Sequence, residues 1–141
     1  MTKTEYKNRK YTIEQYNSEW KKQFETEAEG LRPIFSDEAI SIEHVGSTSV
    51  PSLAGKPTID ILITVEKIET ADQLSEKIEG IGYKGLGDYI NQGSRLFVKE
   101  RDGERLVNLH VFEARHPHVE EMINLRNYFR SHPERVEEYS K

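Results

Sequence analysis

The segment 42–65 carries most of the side chains in this chain that could do chemistry. One turn region within it includes the run Gly46, Ser47, Thr48 and Ser49, followed by Gly55 and Lys56. A glycine lets the backbone approach a phosphate closely, while hydroxyl and ammonium groups bind the phosphate oxygens. The residue types of this turn therefore predict a site for a phosphate-bearing ligand.

A single carboxylate, Asp60, stands in the β-branched run 58–65 that follows the turn. A strand carboxylate beside a phosphate-binding turn can hold one divalent cation, Mg²⁺ or Mn²⁺. The alternative is a structural acid that caps a backbone group or pairs with Lys56, because a buried acid must be paired. The spacing of Gly46 and Asp60 leaves both interpretations open.

Leu62 limits the metal chemistry that this strand could support. Side chains alternate between the two faces of a strand, so Asp60, Leu62 and Thr64 share one face. A site with two metal ions would need an acid at position 62. The paired carboxylates of ordinary phosphoryl-transfer sites are therefore missing from this strand, which weighs against catalysis of that kind.

Two histidines could join Asp60 if their strands lie side by side. Asn108, His110 and Phe112 alternate with apolar neighbours, so His110 lies on the more polar face of a later strand. His110 could then be a metal ligand or carry a proton, and His44 stands just before the turn. The alternative for either histidine is a structural role with a hydrogen-bonded ring.

Two cations in the same later region could bind an anionic ligand. Arg95 and Lys99 share one side of a predicted hairpin, with Phe97 between them, and we expect them to contact the ligand unless that side is simply solvated. Outside these residues the signals are weaker. His116 and His118 lack further metal ligands at short spacing, and Arg126 and His132 are expected to be surface or structural residues.

Composition limits the class of protein. A chain of 141 residues fits one domain, and the absence of cysteine excludes disulfides and thiolate metal sites. No segment has the pattern of a secretion signal or a membrane span, so a cytoplasmic protein without a membrane partner is expected. The net charge of -5 argues against broad nucleic-acid binding, which needs a concentrated basic surface.

The elements that position these residues follow from hydrophobic period and turn chemistry. Residues 1–10 are expected to form a flexible terminus, and 11–16 a short edge strand. Ser18 is expected to cap a helix with its apolar face on Trp20, Phe24, Ala28 and Leu31, which Pro33 ends or kinks. Residues 34–39 then connect this helix to a strand at 42–45.

The second half of the chain alternates helices and strands. The capping box of Thr70 and Gln73 predicts a helix that ends at Gly80 and Gly82, with Ile81 on its apolar side. Residues 83–90 fit either a bulged strand or a mobile loop. Strands 94–101 and 105–113 flank Asp102 and Gly103, a strong hairpin signal, and helices are expected at 118–130 and 133–139. Together these elements predict a single α+β domain, residues 11–141, with a mixed sheet.

A family resemblance adds to this interpretation. The run HVGSTSVPSLAGKPTIDI, preceded by YNSEW and followed by RLFVK, NLHVFE and LRNYFRSHPERVEEYSK, closely resembles the GrpB-like family from position 11 onward. That family looks like a divergent branch of the nucleotidyltransferase superfamily, which implies a mixed sheet with helices packed against it. The superfamily pattern matches Val45, Gly46, Ser47, Asp60 and Ile61, so the resemblance implies phosphate contact by Ser47 and metal binding by Asp60.

The resemblance also marks where this chain departs from the superfamily. Leu62 does not match the second acid, and His110 stands about where a third acid is expected. GrpB-like domains are fused to dephospho-coenzyme A kinases in some bacteria, which implies an accessory role in nucleotide or cofactor metabolism. We therefore expect a protein that binds a nucleotide or another phosphorylated small molecule, with one divalent cation at Asp60 and His110. The alternative is a non-catalytic accessory or interaction module, whose protein partner the sequence does not name.

Overall fold

The computed structural model describes residues 15–51, 53–86 and 93–140. In these ranges the chain forms four α-helices and five strands. The helices are α1 (Glu19–Phe35), α2 (Glu69–Gly80), α3 (Pro117–Ser131) and α4 (Pro133–Ser140). The strands are β1 (Ala39–Val45), β2 (Ile59–Val65), β3 (Lys84–Gly85), β4 (Ser94–Arg101) and β5 (Glu104–Glu113).

The strands form one mixed sheet in the order β1-β2-β5-β4-β3. β2 and β5 are parallel neighbours at its centre, and the other adjacent pairs are antiparallel. In this register Asp60 lies beside Asn108, and Leu62 lies beside His110. The two strands predicted to carry the acid and the histidine are therefore adjacent.

The two faces of the sheet are covered differently. The alternating apolar residues of β2 and β5, with Ile61 and Leu109 at their centre, pack against α1 and α2 in the main core. We call this side the α1/α2 face. The opposite side, here the Asp60 face, carries Asp60, Leu62, Asn108 and His110. Within the described part of the chain, α3 covers a portion of it by packing on a smaller apolar cluster.

The first helix confirms the sequence prediction except at its ends. Trp20 and Leu31 are buried, as the helical period requires. The side chain of Asn17, rather than Ser18, caps the helix by accepting a bond from the backbone N–H of Glu19 at 2.8 Å. Pro33 does not end the helix, which continues to Phe35, because a proline in the last turn removes only one backbone hydrogen bond.

The second helix begins differently from the prediction. Thr70 lies inside α2, so the predicted capping box is wrong. The backbone N–H of Ile68 instead donates to Glu113 Oε2 at 3.0 Å, so the end of β5 supplies the acceptor. Ile81 follows the last helical residue and is 39% exposed, so it does not belong to the buried side.

The hairpin prediction is confirmed, since Asp102 and Gly103 both have positive φ between β4 and β5. α3 and α4 are confirmed as well, but Leu125 on α3 is 57% exposed, while Val119 is the buried residue of that helix. Residues 83–90 contain the two-residue strand β3, and positions 87–90 lie outside the described residues. The predicted flexible terminus 1–10 also lies outside them, as does most of the expected strand 11–16.

Candidate functional site

Asp60 is the centre of a small polar cluster on the Asp60 face. Its Oδ1 accepts a hydrogen bond from Asn108 Nδ2 at 3.0 Å. His110 Nε2 lies 3.2 Å from the same oxygen. The side chains of Asp60 and His110 remain 24% and 16% exposed, so the cluster reaches the surface. The parallel pairing of β2 and β5 thus produces the acid and histidine contact that the sequence predicts.

Gly46 packs directly on the other side of the same carboxylate. Its φ is +76°, and a Cβ atom built there would lie 2.5 Å from Asp60 Oδ2. The absence of a side chain therefore lets the turn after β1 touch Asp60. Oδ1 faces β5, and Oδ2 faces the backbone of the turn.

The three hydroxyls of the turn have different surroundings. Ser47 is half-buried and touches Gly55, where a Cβ would overlap the serine side chain. Thr48 and Ser49 are buried. Thr48 Oγ1 lies 2.9 Å from His44 Nε2, and Ser49 Oγ donates to the carbonyl of Gly46 at 2.5 Å.

The turn therefore differs in part from its prediction as a phosphate site. The hydroxyls of Thr48 and Ser49 hold the short 3₁₀ turn in shape instead of facing outward. Ser47 is the hydroxyl that stays partly accessible beside Gly46. Lys56 follows Gly55 and is exposed on the protein surface.

Arg95 and Lys99 do not share a face with Asp60. Arg95 pairs in register with Val111 and lies on the α1/α2 face, where its Nε donates to Asp72 Oδ1 of α2 at 2.8 Å. Lys99 lies on the same face, and its Nζ donates to Glu27 of α1 at 2.7 Å. The predicted grouping of these cations with the acid is therefore wrong, because strand alternation directs them to the opposite side of the sheet.

Leu62 has a packing role on the Asp60 face. It is fully buried in a cluster with Val45, Phe112 and Val119, against which Met122 also packs. α3 therefore closes the position where a second metal-binding carboxylate would stand. The structure gives a packing reason for the missing acid that the sequence could not show.

His44 occupies the α1/α2 face, although it is only two residues before Gly46. It pairs in register with Ile61, and its ring stacks on Phe24 with centroids 4.7 Å apart. Burial, helped by the nearby charge of Arg130, lowers the pKa of His44 from 6.5 to about 4. His44 is therefore a neutral, hydrogen-bonded residue at neutral pH and not a partner of Asp60.

Three polar residues near the site were not predicted from sequence as site residues. Asn108 holds Asp60, and its own Oδ1 is buried without a hydrogen-bond partner among the described residues. Arg126 of α3 donates to Glu43 at 2.6 Å and to the carbonyl of His44 at 3.1 Å. Arg130 donates to the carbonyl of Ser49 at 3.0 Å.

A sequence signal existed for these residues. Asn108 is two residues before His110 and so must share its face, and Arg126 and Arg130 are one helical turn apart. The two arginines fix α3 to the backbone on either side of Gly46. Their contacts with the turn depend on the packing of α3 beside β1, which the sequence alone does not give.

Other candidates have structural roles. His116 caps α3, because its Nδ1 accepts from the N–H of His118 at 3.1 Å. Across the part of the chain that the structure describes, no three His, Asp or Glu side chains are grouped closely enough to hold a metal ion. In that same part, none of the helices has the length and apolar character needed to cross a membrane.

Comparisons with known proteins identify the family of this chain. The family model for GrpB protein matches residues 10–141. The protein YqkA of Bacillus subtilis is 38% identical over 135 residues, which cover 96% of this chain and 39% of YqkA. A dephospho-CoA kinase of Mycolicibacterium paratuberculosis is 38% identical over 91 residues, or 60% of this chain and 22% of the kinase. This chain thus spans less than half the length of either relative.

Two solved structures place the fold. GrpB from Enterococcus faecalis superimposes with a TM-score of 0.86 at 35% identity, covering 92% of this chain and 78% of that chain. The Cid1 poly(U) polymerase, in a structure with MgGTP bound, gives a TM-score of 0.55 at 16% identity, covering 82% and 38%. The second likeness shows the fold alone, and it confirms the predicted nucleotidyltransferase-like sheet.

Proposed function

The chain is a member of the GrpB protein family, and on that basis we propose that it binds a nucleotide or another phosphorylated small molecule beside Asp60. The observation that carries this proposal is the contact between Gly46 and the Asp60 carboxylate. It leaves a bare stretch of backbone next to an acid that is still partly exposed. Phosphate groups bind where backbone can approach them closely and a cation can bridge them to a carboxylate.

Each residue of the site has a distinct task in this proposal. Gly46 holds its exposed backbone against the Asp60 carboxylate, and Ser47 offers the partly accessible hydroxyl of the turn. Asn108 and His110 fix the orientation of Asp60 by holding Oδ1. Lys56, on the surface of the same loop, supplies positive charge to an approaching anion.

The residues fit one divalent cation but not two. Mg²⁺ in phosphate sites is commonly held by one or two carboxylates together with the phosphates of the ligand, and it keeps several waters. Asp60 would be the carboxylate of such a set, with His110 beside it and the buried Asn108 Oδ1 still lacking a partner. A bound cation would neutralise charge between the acid and the phosphates.

Leu62 argues against transfer of a nucleotidyl group by a pair of metal ions. That chemistry needs ligands that hold two metal ions a few ångströms apart, and here the position on β2 next to Asp60 on the same face is packed under α3. Binding is therefore proposed without this reaction. The likeness to Cid1 concerns the fold alone and leaves the substrate of this chain to experiment.

Calorimetric titration tests the proposal directly. Wild-type protein is titrated with ATP, GTP and UTP in the presence of MgCl2, and again with EDTA. We expect binding that depends on the metal and that is lost in Asp60→Asn. Asp72→Asn is the matched control, because Asp72 pairs with Arg95 on the α1/α2 face and its loss should leave the affinity unchanged. Equal binding by wild type and Asp60→Asn would contradict the proposed site.

A second candidate is a non-catalytic accessory module linked to coenzyme A or nucleotide metabolism. The buried Leu62 and the similarity to part of a dephospho-CoA kinase favour it. On this alternative none of the three nucleotides binds, and no pyrophosphate is released with any of them. Release of pyrophosphate by wild type, abolished in Asp60→Asn, would rule the module out.

A further inference from the structure

A cleft of about 560 Å³ is bounded by α1, by the 3₁₀ turn and by the junction of α3 with α4. His44 lines the cleft, whereas Gly46, Ser47 and Asp60 do not. The side chains of His44 and Asp60 point to opposite faces of the sheet. The cleft therefore differs from the site proposed above, although both border the turn that follows β1.

Three aromatic side chains and the ring of His44 form part of the lining. Tyr16, Phe24 and Phe129 all line the cleft and all remain partly exposed, although each packs on an apolar cluster. The neutral ring of His44 lies parallel to Phe24, with an angle of 6° between the rings. Partly exposed rings that converge on one concave surface offer flat faces to a planar ligand.

The lining of the cleft includes two positively charged side chains and one negatively charged side chain. Arg130 and Lys21 contribute positive charge, and Glu25 contributes negative charge one helical turn from Lys21. Among the side chains that the structure describes, Arg130 forms no ion pair, and its Nε donates only to a backbone carbonyl. Arg130 remains exposed, so its guanidinium group is accessible to an anionic ligand in the cleft.

We propose that this cleft is a second binding site, for a small molecule that combines a planar aromatic ring with one anionic group. The ring would stack among Tyr16, Phe24 and Phe129, and the anion would contact Arg130. A volume of about 560 Å³ lies within the range of small-ligand pockets, which is roughly 300–1,000 Å³.

Four probes separate the parts of this ligand. Adenosine 5′-monophosphate carries ring and phosphate, indole-3-acetate carries ring and carboxylate, and adenosine and inorganic phosphate carry one part each. Each is titrated without divalent metal by calorimetry and by amide chemical shifts in NMR spectra. We expect at least one of the two combined probes to bind about tenfold more tightly than either part, with the largest shifts at His44 and Phe129.

Variants assign the binding to the cleft. Arg130→Gln should weaken binding about tenfold, since a charge-assisted contact is lost. Arg130→Lys retains the charge and should restore most of the affinity. Glu25→Gln, at an exposed position on the rim, should strengthen binding about twofold by removing a like charge. Thermal unfolding of each variant confirms that it is folded.

Asp60→Asn distinguishes this site from the phosphate site on the Asp60 face. Its affinity for the bound probe should equal that of wild type. The inference is overturned if no probe binds, if Asp60→Asn loses binding, or if the shifts map to Gly46 and Ser47. It is equally overturned if Arg130→Gln and Glu25→Gln bind as wild type does. These tests use no divalent metal. A negative result in the Mg²⁺-dependent nucleotide titration would therefore count against the site at Asp60 and not against the cleft.

Discussion

Gly46 and Asp60 occupy a space that no side chain at position 46 could share. The glycine has a positive φ, and the carboxylate fills the place where its Cβ would be. Two separate requirements, backbone conformation and free volume, therefore select the same residue. The contact between Gly46 and Asp60 therefore packs the turn directly against β2.

Gly46→Ala should destabilise the protein and displace Asp60. We expect a loss of about 2 kcal/mol or more in the free energy of unfolding, from left-handed strain and from the Cβ contact. Urea denaturation measures the loss. Gly80→Ala is the control, because a Cβ there meets no atom within 4 Å, and alanine should stabilise α2 by up to about 1 kcal/mol. Equal stability for the two variants would contradict the packing of Gly46.

His44 should make the protein less stable in acid. In the unfolded chain it takes up a proton near its ordinary pKa of 6.5, whereas burial holds its pKa near about 4 in the folded protein. Between these values the unfolded state binds the additional proton, so stability falls as the pH drops from about 6.5 to about 4. The size of the loss is at most about 3 kcal/mol.

Denaturation curves across that pH range measure this contribution. His44→Gln keeps a polar partner for Thr48 but cannot titrate, so its stability should depend less steeply on pH than that of wild type. The same acid dependence in both proteins would show that other groups are responsible.

At this scale the sequence predicted the site only in part. The contact between Asp60 and His110 followed from strand alternation and the assumption that the two strands are neighbours. Arg95 and Lys99 could not be assigned to a face relative to Asp60, because the pairing of β4 with β5 fixes that choice. Asn108 must share a face with His110, but an asparagine at that position does not by itself indicate a functional site.

Among the elements, α3 has the largest effect on what the site can do. It packs on Leu62 and Phe112 of the Asp60 face and is fixed by Arg126 to Glu43 and to the carbonyl of His44. The helix therefore covers one end of the face and leaves Asp60 at the open end. Leu62 is therefore buried by the packing of α3 as well as by its place in β2.

Leu62→Asp should damage the protein without creating a second metal site. A carboxylate placed among Val45, Phe112 and Val119 would be desolvated, at a cost of at least about 3 kcal/mol. Leu62→Met preserves volume and polarity and should cost about 1 kcal/mol or less. Chemical denaturation compares the two, and Mn²⁺ titration tests for metal binding. A stable Leu62→Asp variant that binds two Mn²⁺ ions would contradict this prediction.

The boundaries of the elements show what local sequence signals can and cannot give. The hairpin at Asp102 and Gly103 was predictable, because its backbone conformation needs those residue types. The start of α2 was not, since the N–H of Ile68, just before the helix, donates to Glu113 on a distant strand. Local capping signals fail where a tertiary contact supplies the acceptor.

The whole molecule is built around a sheet with unequal cores. The main core, on the α1/α2 face, includes Trp20, Ile61 and Leu109. Among the side chains that the structure describes, those of α3 and α4 bury apolar surface in two smaller clusters. β2 and β5 lie between other strands at the centre of the sheet. Protection from opening should therefore be highest in these two strands.

Hydrogen exchange should reveal this inequality. We expect the amides of β2 and β5 to exchange only through global unfolding, and those of α3 to exchange at least about tenfold faster through local opening. Native-state exchange followed by NMR gives both rates. Equal protection in α3 and β2 would mean that the small clusters are as cooperative as the main core.

The comparisons also bear on the molecule as a whole. The GrpB structure from Enterococcus faecalis covers nearly all of this chain, so the fold is shared across that length. YqkA is much longer than the matched region. Whatever the remainder of such relatives does, the sheet, Asp60 and the closed position at Leu62 can be studied in a chain of this length.

The packing of Leu62 has a consequence for any redesign of this site. Leu62 and the docked α3 support each other, because each fills space that the other would leave empty. An aspartate introduced at position 62 alone would meet the apolar side chains of this helix. A second acid on β2 would therefore require coordinated substitutions on α3 as well, so the number of acids here is set by two elements together.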